Sequence, residues 1–98
     1  YLSDEVLDYI VRLVGATRSH PMILQGASPR ATLALTAVSR ALALASGRDY
    51  VLPEDVQAVF HDVIDHRLVF APKTGSGEQP RAELLSQLLR SVKPPRLR

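Results

Sequence analysis

The 98 residues include no cysteine and no tryptophan, one methionine (Met22), three tyrosines and two phenylalanines. Without cysteine the chain can build no disulfide framework, no thiolate nucleophile, no zinc finger and no iron–sulfur site. No apolar run reaches the roughly 18 residues of a membrane span, and the acidic start at Asp4, Glu5 and Asp8 is unlike the basic start of a secretory signal. The expectation is a soluble cytoplasmic domain with no membrane partner. A glycine-rich GxxxxGK[ST] loop is also missing, so a nucleotide would have to be held mainly by another domain. The chain opens at Tyr1, not at a methionine, which predicts a piece of a longer protein.

What is present suffices for one core. A chain of roughly 100 residues buries about two-thirds of its unfolded surface, and a hydrophobic content of 46% is ordinary for a globular domain. The net charge of +2 is unevenly placed: residues 1–65 hold five arginines against eight acids, and residues 66–98 hold seven basic residues against two glutamates. Arginine far outnumbers lysine. Guanidinium groups suit interfaces and bidentate phosphate or carboxylate contacts, although codon bias in a GC-rich genome produces the same excess.

Hydrophobic periodicity predicts four helices. The first covers 3–18, with Ser3 as N-cap, Asp4 and Glu5 at the positive helix end, and Val6, Ile10, Leu13 and Val14 on one face. Pro21 is expected to stop it, and Gly15 inside it suggests a closely packed neighbour. After a connection at 22–26, Ser28-Pro29-Arg30-Ala31 opens the second helix, with Ser28 as N-cap and Pro29 at the first helical position. That helix runs to Ser46-Gly47, where glycine can take the left-handed position. Its few charges predict a central place in the fold. Pro53 opens the third, with Val56, Val59, Phe60, Val63 and Ile64 buried and His66 and Arg67 in its last turn. Leu68-Val69-Phe70 is extended and a candidate to pair with Tyr50-Val51. Residues 71–80 read as a loop, and a last helix from Pro80 carries Leu84, Leu85, Leu88, Leu89 and Val92. The predicted fold is all-α: a small bundle of four helices, with at most one short two-stranded pairing.

Arg30 poses the first chemical question, because a cation in the first turn of a helix faces the positive end of the dipole. A phosphate would relieve it, held by the guanidinium and the helix-start amides, with Ser28 and Ala31 completing the anion site. A salt bridge to a neighbouring helix would relieve it equally. His61, Asp62, Asp65 and His66 have the look of metal ligands, yet Asp–His pairs four apart also simply stabilise a helix; no metal site is assigned. None of the serines lies in a nucleophile-elbow context, and the acid pairs Asp4-Glu5 and Glu54-Asp55 are accounted for by helix starts, so no catalytic residue is assigned. Arg81, Arg90, Lys93, Arg96 and Arg98 form a basic C-terminal third that could meet phosphate backbones, without aromatic interleaving or a recognition helix. This leaves a free-standing protein- or nucleic-acid-binding module as the alternative function, and residues 96–98 as a basic tail.

Six segments occur in an order and spacing that resemble a known family. They are Tyr9-Ile10 with Leu13-Val14, Ala16-Thr17-Arg18-Ser19-His20-Pro21, Gly26-Ala27-Ser28-Pro29-Arg30-Ala31, Gly47-Arg48-Asp49-Tyr50-Val51, Pro53-Glu54-Asp55-Val56 and His66-Arg67-Leu68. Together they look like the C-terminal lid domain of MoxR-type AAA+ ATPases, with the match over residues 2–95 and the domain expected at 1–95. The resemblance implies an upstream P-loop ATPase domain using ATP with Mg, with no cofactor bound by this segment alone. It further implies a hexameric ring of neighbouring subunits, chaperone-like maturation of protein complexes, and partners with von Willebrand factor A domains. Ser28-Pro29-Arg30 resembles the sensor-2 element, which makes Arg30 the expected nucleotide-sensing residue. Arg18, Arg48 and Arg67 become candidates for contacts to the ATPase core or the next subunit.

Overall fold

The computed structural model describes residues 2–20, 22–70 and 78–95. Among these residues four helices make up the bundle: α1 (Asp4–Ala16), α2 (Pro29–Ala45), α3 (Pro53–Ile64) and α4 (Glu78–Ser91). A single turn of 3-10 helix (Asp65–Arg67) extends α3, and two short strands, β1 (Ile23–Gln25) and β2 (Val69–Phe70), complete the order. No helix among the described residues is long and apolar enough to cross a membrane.

The core forms where the apolar faces of the four helices converge. Val6, Tyr9, Ile10, Leu13 and Val14 of α1 meet Ala31 and Leu35 of α2, Val56, Phe60 and Ile64 of α3, and Leu84, Leu85 and Leu88 of α4. Ser3 caps α1 as expected, accepting from the Val6 amide at 3.2 Å. The helix ends at Ala16, two residues early, because Thr17 closes it: its hydroxyl donates to the Val14 carbonyl at 2.6 Å.

The end of α2 follows from one glycine. Gly47 adopts φ +83°, which lets the Arg48 amide reach the Ala43 carbonyl at 2.9 Å and the Gly47 amide reach Leu44 at 3.0 Å. These two bonds close the helix as a Schellman motif and launch the chain toward α3.

Three sequence expectations need correction. β2 pairs antiparallel with β1, Ile23 opposite Phe70 and Gln25 opposite Val69, not with Tyr50-Val51. The latter segment is held by its own turn, with the Tyr50 carbonyl accepting from Arg48 and Val51 buried, so the strand partner comes from the stretch read as a plain connection. Helix α4 starts at Glu78, two residues before Pro80; proline is tolerated in a first turn because its missing N–H would have no intrahelical acceptor there. The rest of the predicted loop, 71–77, lies outside the described residues. Finally, a Cβ on Gly15 would meet nothing within 4 Å, whereas one on Gly26 would sit 2.7 Å from Arg18 Cα. The close approach exists, but at Gly26.

Candidate functional site

The start of α2 is fixed from outside by the end of α1. With only a hydrogen at Gly26, the chain passes directly over the backbone of Arg18. Ala27, next in sequence, is then gripped on both sides: its amide donates to the Thr17 hydroxyl at 2.9 Å, and its carbonyl accepts from Arg18 Nε at 3.0 Å. Thr17 and Ala27 are buried, so the bond between them is shielded from competing water. Ala31 continues the anchor one turn on, packed in the core.

Arg30 projects from this anchored turn into solvent. The first turn of α2 contains no acidic residue, and among the described residues Arg30 has neither a hydrogen-bond nor an ion-pair partner. The intramolecular salt bridge considered from sequence therefore does not form among these residues. Ser28 occupies the N-cap position with extended backbone, but its side chain makes no capping bond; its exposed hydroxyl stays available beside Arg30. The Ala31 amide donates to the Ser28 carbonyl at 2.9 Å, so the exposed side-chain donors here are the guanidinium and the hydroxyl. A cation at the positive end of a helix with no local acid suits an external anion.

The three other candidate arginines are each tied into the domain. Arg48 makes a two-pronged bond to Asp55, Nη1 and Nη2 each 2.7 Å from a carboxylate oxygen, and lies over the Tyr50 ring with its central carbon 5.7 Å from the centroid. Asp55 also accepts from the Leu52 amide at 2.7 Å, capping α3 from its third position. The Arg48 hydrogen bonds hold the Asp55 carboxyl below the ordinary aspartate range against the opposing effect of burial, helped by the Leu52 amide and by the Arg48 charge. The same bonds push the Arg48 guanidinium further up. From sequence, Asp55 was only a helix-start acid; an arginine just past a left-handed glycine, with an acid seven residues on, was the available signal. Arg67 Nε donates to the Val63 carbonyl at 3.0 Å. Arg18, Arg48 and Arg67 thus each use at least one N–H within the domain.

A lowered carboxyl pKa sets a pH dependence. The stability from the Asp55 pair is complete above the unfolded aspartate value, near 3.8, and is lost as pH falls through the folded value. Asp55→Asn is therefore expected to lower the unfolding temperature clearly at about pH 6, with a penalty that narrows by about pH 3. Parallel melting curves of the two proteins at both pH values provide the check; a constant gap would refute the linkage.

Two residues of the acid–histidine group, His61 of α3 and Asp65 of the 3-10 turn, contact α4. His61 Nε2 lies 3.3 Å from the Ala82 carbonyl and 3.2 Å from the Ser86 hydroxyl, and Asp65 pairs with Arg81 at 3.3 Å. Arg81 is accordingly engaged within the bundle, while Lys93 contributes its carbonyl to Arg12 at 2.9 Å. Arg96 and Arg98 lie outside the described residues.

Comparison with known proteins adds the relationships. The chain matches the AAA lid domain family over residues 15–97. It is 37% identical over 106 residues to the chaperone MoxR1 of Mycobacterium tuberculosis, covering 99% of this chain and 28% of that protein. It is also 37% identical to the protein MoxR of Methylorubrum extorquens, covering 84% of this chain and 23% of that protein. A crystal structure of a protein assigned as an ATPase in Cytophaga hutchinsonii superposes with a TM-score of 0.87 at 33% identity, covering 97% of this chain and 32% of the other. The chain spans less than a third of the length of each of these relatives.

Proposed function

The chain belongs to the AAA lid domain family, in its MoxR-type AAA+ branch, and on that premise we propose that it is the nucleotide-sensing lid of a ring ATPase, with Arg30 as the sensor. The observation that carries this reading is the placement of Arg30: a solvent-facing guanidinium at an anchored helix start, with no acid in its turn and no partner among the described residues. Those residues fit a phosphate group. Arg30 would grip its oxygens in a planar fork, the uncommitted Ser28 hydroxyl would add a neutral donor, and the helix dipole would favour the negative charge.

In the proposed parent protein an upstream P-loop domain would hold ATP with Mg, and the ion would supply neutralising charge at the phosphates. In this reading the lid would contribute no nucleophile and no base. Its contribution is orientation: the contact with Arg30 draws the start of α2 toward the nucleotide, and the grip of Thr17 and Arg18 on Ala27 passes that displacement to α1 and the rest of the bundle. Loss of the terminal phosphate would release the lid, so that domain angle follows nucleotide state. The N–H groups of Arg18 and Arg67 not used inside the domain would brace the ATPase core or the neighbouring subunit. In a hexameric cytoplasmic ring, this motion would serve chaperone-like maturation of protein complexes, including partners with von Willebrand factor A domains.

The test is steady-state ATP hydrolysis by the parent protein carrying Arg30→Ala. Unchanged turnover would remove the sensor assignment. The alternative of a nucleic-acid module gains nothing from the fold, since Arg81 is engaged with Asp65 and no aromatic residue lies among the basic residues of α4.

A further inference from the structure

Where α2 ends, the turn that follows it encloses a cleft of about 230 Å³ whose lining includes Arg40, Leu44, Arg48, Asp49, Tyr50 and Val51. Two guanidinium groups share this cleft. A guanidinium has five N–H groups, and Arg48 spends only part of its set inside the domain. Nη1 and Nη2 hold the Asp55 carboxylate, and Nη1 also donates to the Tyr50 carbonyl. The edge formed by Nε–H and the outer N–H of Nη2, where two parallel donors suit one carboxylate, has no partner among the described residues. Because both Asp55 bonds measure 2.7 Å, this guanidinium is already fixed and loses little freedom on meeting an acceptor.

Arg40 is exposed and has no hydrogen-bond or ion-pair partner among the described residues. The acid in the lining, Asp49, already has a partner of its own, so Arg40 is the cation here that lacks a counter-charge. Leu44 and Tyr50 add apolar surface, 68% and 45% exposed. Arginine and tyrosine are also the residue types that carry much of the binding energy at protein interfaces.

We propose that this cleft docks a separate protein through a carboxylate that stands beside an apolar side chain on an exposed segment. The carboxylate bridges Arg40 and the open edge of Arg48, and the apolar neighbour lies against Leu44 and Tyr50. The volume falls below the roughly 300–1,000 Å³ of pockets for small molecules, which selects one side chain of a polypeptide over a free metabolite. From Arg30 to Leu44 the helix rises about 21 Å at 1.5 Å per residue, so the cleft stays clear of a nucleotide held at the helix start and needs no sensor.

The test titrates the parent protein with two probes by ligand-observed NMR: the blocked dipeptide N-acetyl-glutamyl-phenylalanine amide and its glutaminyl counterpart. The glutamyl probe is expected to bind roughly fivefold or more tightly than the glutaminyl one, since a hydrogen bond to a charged acceptor outweighs one to a neutral acceptor. Arg40→Gln should erase that preference without disturbing the fold, because the side chain is exposed and unpartnered, and an unchanged unfolding temperature checks this. Arg90→Gln should leave the preference intact. Equal affinity for the two probes, or no binding of either, would overturn the proposal. A preference that survives Arg40→Gln would put the carboxylate elsewhere and overturn it as well. Binding by dilute subunits that vanishes on ring assembly would give the cleft to a neighbouring subunit, again against the proposal. Arg30→Ala should leave the preference unchanged whatever it does to hydrolysis, so this reading and the sensor reading fail separately.

Discussion

Arg30→Ala is expected to lower ATP hydrolysis by the parent protein on the order of 10²-fold, while the lid itself stays folded. Arginines that meet the transferred phosphoryl group act on charge that develops during the reaction, in a site where water is scarce, and their removal is correspondingly costly. Stability should hardly change, because the side chain is exposed and has no intramolecular partner among the described residues. Removing a cation from the positive end of a helix would even favour the fold by about 0.3 kcal/mol. Arg30→Lys keeps the charge but loses the planar fork, so partial recovery of turnover is expected. Arg90→Ala, in the last turn of α4 and also exposed, should retain most of the turnover. Equal losses at both positions would point to general electrostatics in place of a specific contact.

The second large effect is a pair of opposite signs at two glycines. Gly26→Ala is expected to destabilise the domain by about 2–3 kcal/mol, because the new Cβ would sit 2.7–2.8 Å from Arg18 Cα and amide nitrogen. Backbone cannot swing aside as the tip of a flexible side chain can. Separation of the two segments would also loosen both bonds to Ala27, one from Arg18 and one to the buried Thr17. Gly15→Ala, by contrast, places its methyl in open space inside α1 and should stabilise by roughly 0.5–1 kcal/mol through a less flexible unfolded chain. Urea unfolding of both variants decides it; destabilisation at both sites, or at neither, would contradict the packing described. In the parent protein, Gly26→Ala should also blunt the response to nucleotide, since it frees the turn that aims Arg30.

Much of this domain is written in local sequence. Ser3 before two acids starts α1, Pro29 and Pro53 open α2 and α3, and Gly47 ends α2, each because a local backbone or dipole requirement admits few residue types. The buried faces of α1, α3 and α4 follow from spacing alone, since a helix that must cover a core shows apolar residues every three to four positions. The prominence of Arg30 came the same way, from a cation placed against its own helix dipole.

Position relative to other segments was a different matter. Nothing in Gly15 or Gly26 taken alone says which is crowded; that depends on where Arg18 lies once α1 has ended. Ile23 and Phe70 are separated by two helices, and Val69-Phe70 could as well have paired with Tyr50-Val51 until the Arg48–Asp55 bond fixed the latter segment. Thr17 gave no hint that it would take up the Ala27 amide. The sequence by itself determined the helices, their ends and the charge at the head of α2, because these rest on interactions within a few residues. The tertiary structure alone decided which glycine is crowded, which arginines are bound inside the domain, and that Arg30 and the apolar side of α2 face outward together, because each depends on segments meeting across the chain.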